Sequence, residues 1–158
     1  MGEYPFFPVF VDLSRRRALV VGGGRIAARR VGTLSRFCPS VTVVAPAICP
    51  DIAALAGRGG VMVRERTFRE GDLEGVDLVL ACTDDAALNA DIVAACRARG
   101  IPVNDASDRR RCDFLFPGIA QKGAVVAGVT AGGQDHALAR RATEAVRECL
   151  ENAIDLND

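Results

Sequence analysis

The stretch Ala18-Leu19-Val20-Val21-Gly22-Gly23-Gly24-Arg25-Ile26-Ala27-Ala28-Arg29-Arg30 limits the folds open to this chain more than any other. It reads as a buried strand, a glycine turn and the opening of a helix. In the spacing Gly22-x-Gly24-x-x-Ala27 the first glycine permits a tight turn, the second lets a pyrophosphate approach the backbone, and the small Ala27 lets helix and strand pack closely. Unpaired N–H groups at the helix start, around Arg25 and Ile26, and the helix dipole then face the phosphates. The bland alternative is an ordinary strand-to-helix turn.

The segments that follow favour a dinucleotide fold. Apolar positions Ile26, Ala27, Val31 and Leu34 recur at helical spacing from Gly24 to Phe37, and Pro39 forbids continuation. Val41–Ala45 is a second apolar strand, as a parallel sheet covered on both faces requires. Ile52–Ala56 predicts a short helix, Val61–Arg66 a third strand, and Glu70–Gly75 a loop or single helical turn. Asp77–Cys82 reads as a fourth strand, and Thr83-Asp84-Asp85 caps a helix through Arg99 that Gly100 stops. Ile101–Asn104 is a fifth strand. A short leading strand over Phe6–Val11, strand-like residues at Phe114–Pro117, a strand at Ala124–Thr130 and a helix from His136 complete the pattern. That helix carries an apolar stripe of Leu138, Ala142, Ala145, Val146, Cys149, Leu150, Ala153 and Ile154. It covers the chain's own sheet or packs on a second copy. The expected fold class is α/β: a Rossmann-like, mostly parallel sheet with helices on both faces, followed by a small strand and helix region. The division expected is 1–112 for the nucleotide domain and 113–158 for dimerisation and a substrate cleft.

Composition removes several classes of function. Twenty basic and twenty acidic residues leave no net charge, against a general nucleic-acid binder. No apolar run reaches the ~20 residues that span a bilayer. The N-terminus lacks a signal peptide's basic start and long apolar run, so the expected location is cytoplasmic. Six cysteines without a C-x-x-C pair read mostly as buried small hydrophobes, and one histidine, His136, leaves no material for a permanent metal site.

Ligands of open α/β sheets bind beyond the carboxyl ends of the strands. That rule gathers Gly22, Gly23, Gly24, Ala45, Pro46, Thr83, Asp84, Asp85 and Asn104 through Asp108 at one rim. Thr83 and Asp84 contact a cofactor or cap a helix. Asp105 and Asp108 serve as a base, as substrate contacts, or as solvated loop residues. The run Arg109-Arg110-Arg111 is a charge run balanced by Asp108 and Asp113, or a clamp for a polycarboxylate. The acid that binds the adenosine ribose, due about twenty residues after the glycines, is missing from Thr42–Ala47. No arginine follows there to favour a 2′-phosphate, so NAD and NADP both stay open on this feature.

Tyr4-Pro5-Phe6-Phe7-Pro8-Val9-Phe10, Leu19–Ala28, Val41–Pro46, Ala81–Asp85 with Leu88-Asn89, Val103-Asn104 with Cys112-Asp113-Phe114, and Thr130–Gly133 occur in this order over nearly the whole chain. This combination resembles the precorrin-2 dehydrogenase family, the N-terminal modules of siroheme synthases. The resemblance implies a homodimeric enzyme that oxidises precorrin-2 to sirohydrochlorin with NAD, and some members also insert ferrous iron. It implies cofactor contacts along Gly22–Ala27 and at Ala45, Pro46, Thr83, Asp84, Asp85 and Asn104. Substrate contacts are implied at Arg109, Arg110, Arg111, Phe114, Gly132 and Gly133. Two departures stand out. The family pattern Asn-Val-x-Asp sets its catalytic aspartate where this chain has Ser107; relatives with Ser-Asp move the role to Asp108, and Asp105 is the other candidate. Asp135-His136 also replaces the usual Ser-Pro after the glycine pair. Other readings are a sirohydrochlorin ferrochelatase and a non-catalytic nucleotide-sensing domain.

Overall fold

The computed structural model describes residues 6–153. Strands β1 (Arg17–Val21), β2 (Ser40–Ala45), β3 (Val61–Glu65), β4 (Leu78–Ala81) and β5 (Val103–Asp105) form one parallel sheet in the order β3-β2-β1-β4-β5. Helices α1 (Arg25–Leu34), α2 (Pro50–Gly57) and α3 (Ala86–Ala98) are the crossovers, and a single 3-10 turn at Glu70–Leu73 joins β3 to β4. The Rossmann-like sheet is therefore present as expected.

Burial explains the apolar strands. Leu19, Val21, Val44, Val79, Ala81 and Val103 pack with Leu73, Ile101 and Ile92, Val93 and Cys96 of α3. Alternation sends Val20 and Val43 to the other face, and they are as fully buried, as are Ala27 and Val31 of α1 and Ile52 of α2. The order reverses between β1 and its neighbours β2 and β4, which opens the crevice at their carboxyl ends where α/β sheets hold ligands.

Among the described residues the chain divides into two compact units, Phe10–Phe114 and a second made of residues 6–9 and 115–153. In the second unit β6 (Gly118–Lys122) and β7 (Val125–Val129) make an antiparallel hairpin, Gly118 opposite Val129 and Lys122 opposite Val125. Helix α4 (His136–Ala153) lies on β6. A Cβ on Gly118 would sit 2.2 Å from the Oγ1 of buried Thr143, and Arg147 donates to the Ile119 carbonyl at 3.2 Å.

Several expectations need correction. Phe6–Val11 form no strand; Phe7, Phe10 and Val11 are exposed, and Pro8 has no N–H to give a ladder. Phe114–Pro117 form no strand either, because the hairpin starts only at Gly118. On α4 the most buried side chain is Thr143, whereas Leu138, Ala145 and Cys149 are exposed, so the inward face is rotated from the expected stripe. Ile154 lies outside the described residues. Only Cys38, Cys82 and Cys96 are buried; Cys49 and Cys112 are half-buried and Cys149 is exposed. Asp113 belongs with the first unit, where its N–H donates to the Val103 carbonyl at 2.9 Å.

Candidate functional site

The glycines of the turn after β1 have separate reasons to be glycine. Gly22 has φ +128°, and a Cβ there would meet the Cys82 carbonyl oxygen at 2.4 Å. A Cβ on Gly23 would lie 1.9 Å from the Ala47 carbonyl oxygen, so close contact with the chain leaving β2 excludes any side chain. Gly24 differs. Its φ of −88° suits any residue, and a Cβ there would meet nothing within 4 Å. The protein's own packing gives no reason for glycine at this position, whereas a ligand laid against the backbone does.

Next to Gly24, α1 begins without a side-chain cap and without an acid in its first turn. Its opening N–H groups and dipole are thus available to an anion, and no carboxylate repels one. Ala27 is fully buried beneath this turn, as close helix-to-strand packing demands, while Arg25 and Ile26 are exposed at the helix head. The chain leaving β2 is tied to the turn by Cys49 N–H donating to the Gly23 carbonyl at 2.8 Å. Ala45 is buried at the tip of β2 and Pro46 beyond it is exposed.

At the tip of β4 the helix cap is Asp85, whose carboxylate accepts from Ala87 N–H at 2.9 Å and Leu88 N–H at 3.0 Å. Thr83 is held by Asn89: its Oγ1 donates to Asn89 Oδ1 at 2.7 Å, and the amide donates back to the Thr83 carbonyl at 3.1 Å. Asp84 is exposed between them. Asn89, fully buried, also donates to Ser107 Oγ at 3.1 Å and so joins the β4 tip to the loop after β5. In the sequence Asn89 stands only as part of the motif Leu88-Asn89, with no role of its own. A polar residue in the first turns of a helix otherwise striped by Leu88, Ile92 and Val93 is the signal that marks it.

The loop after β5 is closed at its base. Val103 N–H donates to Asp113 Oδ2 at 3.1 Å, and Asn104 Nδ2 donates to the Phe114 carbonyl at 2.8 Å. Asn104 is buried, and its Oδ1 accepts from Arg30 of α1. Its side chain faces inward and braces the site from below. In the sequence Arg30 looks like one of many exposed helix arginines.

The three catalytic candidates hold unlike positions. Asp105 is buried, and its Oδ1 accepts from Ser107 Oγ at 2.6 Å and Ser107 N–H at 2.8 Å, while Oδ2 accepts from Arg111 Nε at 2.7 Å. These bonds make it the organiser of the loop. Ser107 is exposed and presents its hydroxyl at the centre of the group Asn89, Asp105 and Arg111. Asp108 caps the 3-10 turn Arg109–Arg111 and makes a two-point pair with Arg110, through Nε at 3.0 Å and Nη2 at 2.9 Å. The Arg110 side chain and backbone N–H hold the Asp108 carboxyl down at about 2.

The arginine run is consequently not a uniform clamp. Arg111 is committed to Asp105, whereas the Arg110 side chain is 77% exposed and Arg109 is half-buried. Phe114 is half-buried. In the second unit, Gly132 and Gly133 have φ of +64° and +70°, a backbone reason for both glycines. Among the described residues no group of three or more His, Cys, Asp or Glu gathers as metal ligands, and no helix is long and apolar enough to cross a membrane.

A family model described as "Putative NAD(P)-binding" matches residues 9–118. The chain belongs to this NAD(P)-binding family. The chain is 38% identical over 145 residues to a siroheme synthase of Methylococcus capsulatus, covering 92% of this chain and 31% of that protein. It is 41% identical over 135 residues to a siroheme synthase of Thioalkalivibrio sulfidiphilus, covering 85% of this chain and 28% of that protein. This NAD(P)-binding chain thus spans less than a third of the length of the curated relatives it matches. Among solved structures, "SirC, precorrin-2 dehydrogenase" matches with a TM-score of 0.73 at 28% identity, over 90% of this chain and 70% of that one. The expected resemblance to the siroheme-synthase NAD-binding module is borne out. The open position at Gly24 and the uncapped head of α1 fit the pyrophosphate of such a dinucleotide.

Proposed function

We propose that this chain oxidises precorrin-2 to sirohydrochlorin in siroheme biosynthesis, with NAD as the acceptor. The open backbone at Gly24, at the head of α1 in a member of an NAD(P)-binding family, carries the reading. The likeness to siroheme synthases and to a precorrin-2 dehydrogenase supports the substrate. When bound, NAD supplies a hydride acceptor. The chain's own task is to orient: Gly22–Ala27 hold the pyrophosphate, the tips of β2 and β4 flank it, and the loop Asp105–Arg111 faces the substrate. The unit Phe10–Phe114 is assigned the nucleotide, and the unit from Leu115 onward, with Gly132 and Gly133, dimerisation and substrate contacts.

Charge placement supports the direction of proton flow. Precorrin-2 carries several carboxylates, which compete with Asp108 for the exposed fork of Arg110. Loss of Arg110 lets the Asp108 carboxyl rise toward its ordinary value and accept a pyrrolic proton more readily. Asp105 stays fixed on Arg111 and keeps Ser107 in place. Anaerobic incubation with precorrin-2 and NAD is expected to produce NADH and the sirohydrochlorin spectrum together. Absence of turnover with NAD and with NADP overturns the reading.

A further inference from the structure

The β2 tip lacks the acid that ordinarily binds the adenosine ribose, and the neighbouring strand offers one. Glu65 is the last residue of β3 and stands in register with Ala45, the last residue of β2. Parallel strands lie about 4.8 Å apart, and residues in register point to the same face of the sheet. That face is the one bearing the glycine turn, because the Ala45 Cβ is 3.0 Å from where a Cβ on Gly23 would sit. A glutamate side chain is long enough to cover one strand spacing. Glu65 is exposed, and its carboxylate makes no hydrogen bond or ion pair with the described residues.

The arginines on either side of Glu65 are turned away from this place. Arg64 Nη1 donates to Asp72 Oδ1 at 3.1 Å, and Arg66 makes a two-point pair with the same carboxylate at 2.8 and 2.5 Å. Asp72 is buried on the 3-10 turn between β3 and β4. By alternation Arg64 leaves the sheet on the face opposite Glu65. The pairings thus withdraw from the β3 tip two cations that would welcome a 2′-phosphate, and leave the acid.

We infer that Glu65, reaching from β3 across the tip of β2, accepts hydrogen bonds from the adenosine ribose hydroxyls and selects NAD over its 2′-phosphorylated form. This deepens the proposed NAD reading and rests on it. A carboxylate here accepts from a 2′-hydroxyl and repels a 2′-phosphate, so it acts on the ratio of the two affinities.

The test is calorimetric titration of the full chain with NAD and with NADP, which needs no turnover. The unaltered chain is expected to bind NAD about tenfold or more tightly than NADP. Glu65→Gln is expected to bring the ratio to within a few-fold of one, and Glu65→Arg to invert it, at unchanged thermal midpoints, since the side chain is exposed and unpaired. Glu74→Gln, which removes an exposed charge elsewhere, is expected to leave the ratio unchanged. A ratio indifferent to both Glu65 substitutions while NAD still binds overturns the role of Glu65 alone, as does a preference of the unaltered chain for NADP. Failure to bind either dinucleotide overturns the cofactor reading and this inference with it.

Discussion

Glycine at three successive positions hides three different constraints, and substitution separates them. Gly22→Ala places a Cβ at 2.4 Å from a backbone oxygen at φ +128°, and is expected to cost about 2 kcal/mol or more of stability. Gly24→Val has room and an ordinary φ, so its denaturation midpoint is expected to stay close to that of the unaltered chain while NAD binding falls by tenfold or more, about 1.4 kcal/mol. Paired urea melts and NAD titrations check both; a destabilised Gly24→Val that still binds NAD would assign that glycine to folding. The aspartates divide in the same way. NMR titration of the Asp108 carboxyl carbon is expected to give a midpoint near 2, and Arg110→Ala to move it up toward the ordinary ~3.9. Asp105→Asn takes from Arg111 its fully buried carboxylate partner and leaves that guanidinium uncompensated, and is expected to cost about 3 kcal/mol. A wild-type-like melt for Asp105→Asn would mean the loop is not built around that pair.

At the level of elements, the sequence made the parallel sheet legible because period and burial agree. Ala18–Val21 is apolar throughout and Val41–Ala45 apolar but for the half-buried Thr42, because both faces of these strands are covered. Elsewhere tertiary contacts override local propensity. Phe6–Val11 has strand propensity but forms no ladder, and Thr143 is buried on α4 because Gly118 of β6 leaves it space. The candidate site was legible as a set of strand tips, since the topological rule places them together. Which side chains point outward was not: Asn104 turns inward to Arg30 and Phe114, and Asp85 serves the helix. Two readings of Thr83-Asp84-Asp85, cap or cofactor contact, separate here. Asp85→Ala is expected to destabilise α3 and the fold by about 1 kcal/mol and to leave NAD affinity within about twofold, since its two N–H bonds are internal to the helix. An undiminished melt with lost NAD binding would reverse that assignment.

Over the whole molecule, balanced charge conceals a one-sided use of it. Nineteen of the twenty basic residues are arginine, and several hold buried or half-buried carboxylates. Asp72 is the clearest case: Arg66 first, then the Arg69 N–H and Arg64, hold its carboxyl at about 2 although burial opposes ionisation. Asp77, held by the Arg17 N–H and Arg16, is lowered as well. A carboxyl with a lower pKa in the folded than in the unfolded chain binds fewer protons when folded. Its contribution is therefore complete above the unfolded value near pH 4, and is lost as pH falls from there toward 2. The thermal midpoint is expected to be level from neutrality to about pH 5 and then to drop steeply. Asp72→Asn is expected to lower the neutral-pH stability by about 2 kcal/mol, the scale of a hydrogen bond to a charged group. It should also make the fall below pH 4 shallower, because the variant has one fewer carboxyl to protonate. Thermal melts of both chains from pH 7 to pH 3 measure it. Parallel curves, offset but equally steep, would show that Asp72 is protonated as easily in the fold as outside it, and the acid limit would then belong to Asp77 and Asp108.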